Sequence, residues 1–137
     1  MNEKEIIKDL TLFLGNIEGA RTISSSDFTD DRIPFMIVVG VESVTQVYPS
    51  LPDYELKLNI LVDTFITDDE DGEKFNKIIT AIENKLTPYF LDFSKLSVIF
   101  PDVPAVGFIL ESKDTTITST SNMCEFKINL YTSYTSI

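Results

Sequence analysis

Residues 34–66 read PFMIVVGVESVTQVYPSLPDYELKLNILVDTFI, and this stretch decides the fold. Apolar and polar side chains alternate along both of its halves, a pattern typical of β-strands. Pro49 and Pro52 bracket a turn between the two halves. The stretch therefore predicts an extended hairpin whose second strand, over residues 54–66, is longer than the usual strand of about 5–6 residues.

Two amphipathic helices are predicted, one on each side of this hairpin. The first begins near Asn2, which forms a capping pair with Glu5, and is predicted to end near Gly15. Its apolar face is made by Ile6, Ile7, Leu10, Phe13, Leu14 and Ile17. The second helix follows the acidic residues 68–71 and is predicted to end at Pro88. Its apolar stripe consists of Phe75, Ile78, Ile79, Ile82 and Leu86.

The remaining segments are predicted to form one connection, one short strand and a second hairpin. Residues 19–31 are polar and turn-rich, which indicates an irregular connection. A short strand is predicted over residues 96–100. The last third of the chain alternates over residues 106–111 and again over residues 124–131, with a polar turn predicted at residues 112–122 between them.

The predicted order of elements is α, β, β, α, β, β, with a short extra strand. Such an order is typical of the α+β class, in which helices cover one face of an antiparallel sheet. We therefore expect a mainly antiparallel or mixed sheet of about four to five strands, with two helices packed on it and long hairpins. No internal repeat or linker is evident, so residues 1–137 are predicted to form a single α+β domain.

The composition excludes several kinds of chemistry. The 137 residues include no histidine and one cysteine, so neither an imidazole base nor a Ser-His or Cys-His nucleophile pair can form. Histidine-bearing zinc sites and an intramolecular disulfide are excluded for the same reason. The glycines do not cluster into a phosphate-binding loop. We therefore expect a protein that is not an enzyme, with no catalytic, cofactor-binding or metal-binding residues.

The net charge of the chain indicates which kinds of partner it can bind. The chain has 22 acidic and 11 basic residues, a net charge of −11, and no two basic residues are adjacent. A phosphate backbone is bound by clustered Lys and Arg, so we expect no specific nucleic-acid binding. The N-terminus lacks the apolar core of a signal peptide, and residues 33–41, the longest nearly apolar stretch, are too few to span a membrane. We expect a protein of a reducing cytoplasm that does not associate with membranes.

The acidic residues 68–73 are the strongest candidate for a metal site. If Gly72 is aligned with the invariant glycine of an EF-hand loop, ligand positions one, three and five are Thr67, Asp69 and Asp71. Position twelve, which needs a bidentate glutamate, is then Ile78, a residue of the apolar stripe. The run is therefore interpreted as the solvated acidic start of a helix, with divalent-cation binding as the alternative.

Two further candidates are a cysteine and a group of loop aspartates. Cys124 lies on the apolar phase of the last strand, and no histidine or adjacent cation is present to lower the pKa of its thiol. It is interpreted as a small buried hydrophobic residue. Asp27, Asp30 and Asp31 could pair for acid–base chemistry, but their spacing does not require it, and solvation in a loop is the favoured interpretation.

The two predicted hairpins are longer than a monomeric domain requires. The final hairpin has a Thr/Ser-rich tip and ends in Tyr131, Tyr134 and Ile137. Long arms of this kind can pair with the sheet edge of a neighbouring subunit. The alternative is a twisted sheet whose ends are solvated.

The order of elements resembles that of a known family. The paired strands are IPFMIVVGVESVTQVYPSLPDYELKLNILVDTF, the acidic helix is DDEDGEKFNKIITAIENKL, and the closing strands are VGFILESKDTTIT and MCEFKINLYTSY. In this arrangement the chain resembles the tail terminator and tail-completion (head–tail joining) proteins of long-tailed bacteriophages and prophages. The resemblance covers nearly the whole chain and is one of topology and pattern, so no contact residue of the family is carried over.

The resemblance implies a structural protein of the virion, assembled in the cytoplasm of the host bacterium. Such proteins form a homo-oligomeric ring, commonly a hexamer, that ends tail-tube growth and contacts tail-tube and head-connector proteins. An acidic channel would let DNA pass without adhering. The alternatives are a phage tail-tube protein, a small acidic adaptor domain that binds another protein, and a carboxylate enzyme with a recruited metal.

Overall fold

The computed structural model describes residues 3–27, 34–48 and 53–133. They form two long helices, α1 (Glu3–Phe13) and α2 (Glu73–Leu91). The five strands are β1 (Arg21–Ser24), β2 (Phe35–Tyr48), β3 (Asp53–Phe65), β4 (Ala105–Ile117) and β5 (Ser121–Ser133). Short 3-10 segments cover Ser25–Asp27, Ile66–Asp68 and Phe93–Val98.

The five strands form one mixed sheet in the order β1-β2-β3-β5-β4. β1 pairs with β2 in parallel, and the other three pairings are antiparallel. The predicted α+β class, with a sheet of four to five strands and two long helices, is confirmed. Each predicted hairpin is present, and both lie within the sheet, because β3 and β5 pair with each other from Asp53 to Phe65.

The core lies between the helices and one face of the sheet. On this inner face, Leu58 of β3 is paired with Ile128 of β5, and Ile60 with Phe126, all of them buried. Ile6 and Leu10 of α1 and the apolar stripe of α2 pack against these strands in one cluster. Polar residues on the intervening strand positions face away from the helices, as the period-two alternation requires. The opposite face of the sheet is called the open face below.

The polar segment over residues 19–31 contains a strand that the sequence does not predict. β1 adds four residues to the edge of the sheet beside Met36 to Val39. Only Ile23 among its side chains is large and apolar, so no alternating pattern marks it. The hydroxyl of Thr22 donates to the carbonyl of Leu14, 3.0 Å away, which ties the strand to the end of α1.

The predicted strand over residues 96–100 is wrong. Phe93–Val98 is a 3-10 segment, which begins where the carboxylate of Asp92 accepts from the backbone N–H of Ser94 at 3.1 Å. Leu96 is buried within the segment, and Ile99 and Phe100 are buried directly after it, at the spacing of three and four residues that is typical of helical structure.

The polar turn predicted at residues 112–122 is also too long. β4 continues to Ile117, because β-branched Thr115 and Thr116 pair with β5. The turn is confined to Thr118–Thr120, where the Thr118 hydroxyl accepts from the backbone N–H of Ser121 at 3.0 Å.

The second helix does not end at Pro88. It runs three residues further to Leu91, because Phe90 stacks on Phe108 with ring centroids 4.8 Å apart. Tyr89 also packs edge-on against Phe13 of α1, at 5.3 Å. Proline removes the donor to the carbonyl of Asn84, but Asn84 is exposed, so water can satisfy that carbonyl.

Ile128 and Ile109 provide a matched test of the inner face. Ile128 is fully buried, whereas Ile109 on β4 is 47% exposed. We expect Ile128→Ala to lower the free energy of unfolding by about 2–5 kcal/mol, because it leaves a cavity in the core. Ile109→Ala should change it by less than about 0.5 kcal/mol. Urea denaturation followed by circular dichroism measures both, and equal effects would contradict this description of the core.

Candidate functional site

The acidic residues before α2 cap that helix. Asp69 is buried, and its two carboxylate oxygens accept from the backbone N–H groups of Lys74, at 3.2 Å, and Phe75, at 2.9 Å. Asp71 accepts from the N–H of Glu73 at 3.1 Å. These are the donors that the first turn of a helix leaves unsatisfied, and carboxylates there also complement the helix dipole. The geometry therefore gives this run a structural role.

The EF-hand alignment has no counterpart in the structure. Ile78, at the position of the bidentate glutamate, is buried in the core, and Asp69 and Asp71 already accept hydrogen bonds from the first turn of α2. Within residues 3–27, 34–48 and 53–133, no group of three or more carboxylate or thiol side chains is placed to hold a metal ion.

The other side chains considered from the sequence lie apart. Cys124 is fully buried on the inner face, and burial raises the pKa of its thiol. Asp27 is exposed and accepts from the Ser24 hydroxyl at 2.9 Å. Asp30 and Asp31 lie outside the described residues, as do Asn2, Tyr134 and Ile137. The structure thus brings none of these described side chains together into a reactive group.

The sheet edges are the main candidate surface. Among the described strands, β4 has a neighbour on one side only, so thirteen residues of backbone form an edge. Apolar side chains along this edge are exposed, namely Val106, Ile109, Leu110 and Ile117. At the opposite edge, β1 pairs with β2 only as far as Val39, and residues 41–45 of β2 have no described strand on that side. An unpaired edge with apolar side chains is a template for strand addition.

The open face carries charged and amide side chains, some of which form ion pairs across the strands. Lys57 on β3 reaches across β5 to Glu111 on β4, 3.7 Å away. Lys127 on β5 reaches across β3 to Glu42 on β2, 3.9 Å away. Both glutamates occupy β-bulges, where the strand register shifts. Because all four side chains are partly exposed, these ion pairs contribute little to stability and mainly make this face polar.

One carboxylate group on the open face has a buried oxygen atom without a hydrogen-bond partner among the described residues. Asp63 lies between Met36 and Met123 on the neighbouring strands, and its Oδ1 atom is buried with no hydrogen-bond partner among the described residues. Burial raises the pKa of this carboxyl group above its usual value of 3.8. The sequence does not predict that this carboxylate is buried, because Asp63 occupies an ordinary polar position in the alternating pattern of β3.

Comparison with known proteins adds no family to this description. No protein-family model matches the chain, and no curated protein matches it. Among the described residues, no helix is long and apolar enough to cross a membrane, as expected from the sequence.

The capping role of Asp69 can be tested directly. Asp69→Ala removes the acceptor for two backbone N–H groups and should lower the free energy of unfolding by about 1–2 kcal/mol. Asp68→Ala, at an exposed position, is the control and should have an effect below about 0.5 kcal/mol. Calcium chloride should leave the thermal midpoint of the wild-type protein unchanged. A rise in the midpoint that is lost in Asp69→Ala would instead show cation binding.

Asp63 should make stability depend on pH. Because its pKa is raised in the folded state, the unfolded state loses this proton at lower pH, and the fold loses stability as the pH rises from 3.8 through the raised value. Asp63→Asn should therefore be more stable than wild type at pH 7, with the difference vanishing below about pH 3. Thermal denaturation across this range measures the effect. Glu18→Gln, at an exposed site, controls for net charge, and an equal gain in that variant would refute the assignment.

Proposed function

We propose that this protein is a non-enzymatic, ring-forming virion assembly protein of the tail terminator or head–tail joining kind. In this role it ends tail-tube growth and connects the tail to the head. The observation that supports the proposal is that, among the described strands, β4 and the second half of β2 each lack a neighbour on one side, at opposite sides of one sheet. A closed ring needs two different surfaces of this kind, because each subunit meets its neighbour head to tail.

The strand directions are compatible with such a ring. β4 runs antiparallel to β5, β5 antiparallel to β3, and β3 antiparallel to β2, so β4 and β2 have opposite directions. A second copy rotated about an axis roughly parallel to the strands would place its β2 edge beside β4. The two edges would then meet as antiparallel strands, which form hydrogen bonds perpendicular to their length.

The charge supports the same function. With a net charge of −11 and no adjacent basic residues, the chain has little to hold a phosphate backbone. A ring of such subunits would repel DNA from its walls and let it pass. Tail-tube and head-connector proteins are the proposed partners, and the assembled virion is the proposed location.

A protein-binding adaptor is the second candidate, and the unequal edges favour it. β4 offers thirteen residues, whereas β2 offers a shorter stretch beyond β1. An edge of that length can accept an extended segment from a different protein without any ring.

The ring predicts a discrete oligomer that depends on the β4 edge. Light scattering over a concentration series should give a single closed species, near six subunits if the resemblance is followed. Ile109→Glu should yield a folded monomer, because a charge on the edge opposes apolar contact. Leu91→Glu is the matched control, since Leu91 is also exposed but lies at the end of α2, and it should remain oligomeric.

The alternatives give different results. An oligomer that survives Ile109→Glu would contradict the role of the β4 edge. A monomer at every concentration would contradict a ring formed by this protein alone and would favour the adaptor.

A further inference from the structure

The outer side of β1 is also an edge of the sheet, and it is called the β1 edge below. Arg21–Ser24 pair with β2 on one side, and no other described strand lies beside them. The β1 edge and the β4 edge therefore bound the same sheet on its two sides. β1 is parallel to β2, whereas β4 runs in the opposite direction, so these edges would meet as antiparallel strands in neighbouring copies of this chain.

The strand register places β1 level with the half of β4 that has no bulge. The residues paired in turn across the sheet are Arg21, Met36, Asp63, Met123 and Thr116. In the same way Ser24 is level with Lys113, so β1 corresponds to residues 113–116 of β4. A copy rotated about an axis parallel to the strands keeps this level. Its β1 edge would therefore lie beside the regular stretch of β4.

Arg21 is an exposed cation on the β1 edge. Its side chain lies on the open face, because its register partner Met36 is paired with Asp63 of that face. Within the part of the chain that the structure describes, no carboxylate forms an ion pair with Arg21. Its guanidinium group is therefore available to a carboxylate of another molecule.

Asp114 is an exposed carboxylate on the β4 edge, and it also lies on the open face. Directly opposite it on β5 is Glu125, and like charges at opposite positions destabilise a strand pair. The nearby lysines are directed elsewhere, since Lys127 reaches across β3 to β2 and Lys113 reaches to α2. None of the described cations forms an ion pair with Asp114. A cation from another molecule would relieve this repulsion.

We propose that Arg21 on the β1 edge of one subunit pairs with Asp114 on the β4 edge of a second copy of this chain. Both side chains lie on the open face, and the register places Arg21 opposite Thr116, two residues from Asp114. Diagonal neighbours of this kind are about 7–8 Å apart, a distance that a long side chain can span. The contact rests on the proposed ring, and it names the residues that determine which edges meet.

The charges on the edges favour a second copy as the partner. The glutamates at the two bulges, Glu42 and Glu111, form ion pairs with lysines of their own sheet. Arg21 and Asp114 remain, with opposite charges on opposite edges, and a head-to-tail ring brings them together at every contact. A symmetric pairing of two β4 edges over the same stretch would instead bring two Asp114 carboxylates together, which their repulsion opposes.

Single charge reversals test the contact. Arg21→Glu and Asp114→Arg each place like charges at every subunit contact. We expect each to raise the protein concentration at half assembly by about tenfold, measured by light scattering over a concentration series. Lys95→Glu and Glu70→Arg are the matched controls, because they change the net charge by the same amounts at exposed positions away from both edges. They should assemble as the wild-type protein does.

Exchanging the charges distinguishes an ion pair from a loss of fold. The double variant Arg21→Glu/Asp114→Arg restores opposite charges at every contact and should assemble at the wild-type concentration. An equimolar mixture of the two single variants should also assemble, because subunits that alternate around a ring meet through native and exchanged pairs in turn. A double variant that assembles as weakly as the single variants would overturn the contact.

The same measurements separate failure of the contact from failure of the ring. If the wild-type protein is monomeric at every concentration, the ring and the contact both fail. If it forms a closed oligomer that neither charge reversal weakens more than its control does, the ring stands and the contact between Arg21 and Asp114 is overturned.

Discussion

The antiparallel register between β3 and β5 is the constraint on which the rest of the structure depends. These strands are far apart in the chain, yet they occupy the middle of the sheet and pair over thirteen residues. Their apolar positions coincide, as at Leu58 opposite Ile128, so one face is apolar from Leu56 to Val62 on β3 and from Cys124 to Leu130 on β5. A slip of one residue would turn every one of these side chains to the open face, which makes this register strongly specified.

This central pairing determines the course of the chain around it. β3 ends at one end of the sheet, and β4 must start at the other to run antiparallel to β5. A helix of nineteen residues such as α2 spans only about 28 Å, less than a thirteen-residue strand at about 3.3 Å per residue. The 3-10 segments before and after α2 supply the missing length, and the whole connection covers the inner face. The open face and the outer edges are left without a covering element among the described residues.

The sequence predicts the parts of this fold that carry a strong period, and it fails where local contacts override the period. The long hairpin and both helices follow from alternation and helical spacing. β1 could not be predicted, because an edge strand with a short polar sequence buries too little to need a pattern. The two bulges on the open face do have a signal, since Glu42-Ser43 and Glu111-Ser112 each interrupt the alternation with two successive polar residues. The candidate surfaces depend on which strands become neighbours and on which strands lie at the edges of the sheet, and neither follows from local patterns.

The β4 edge contains features that limit how it can pair with a strand of another molecule. Bulges after Ala105 and after Leu110 interrupt the ladder, and such irregularities protect edges against indiscriminate pairing. From Ser112 to Ile117, however, the pairing with β5 is continuous. On this stretch Lys113 is held by Glu83 of α2, at 2.7 Å, which directs its charge toward the helix and away from the edge. Ile117, at the end of the same stretch, is 73% exposed. The edge is thus interrupted along its first half and regular along its second, an arrangement that opposes pairing along the full length.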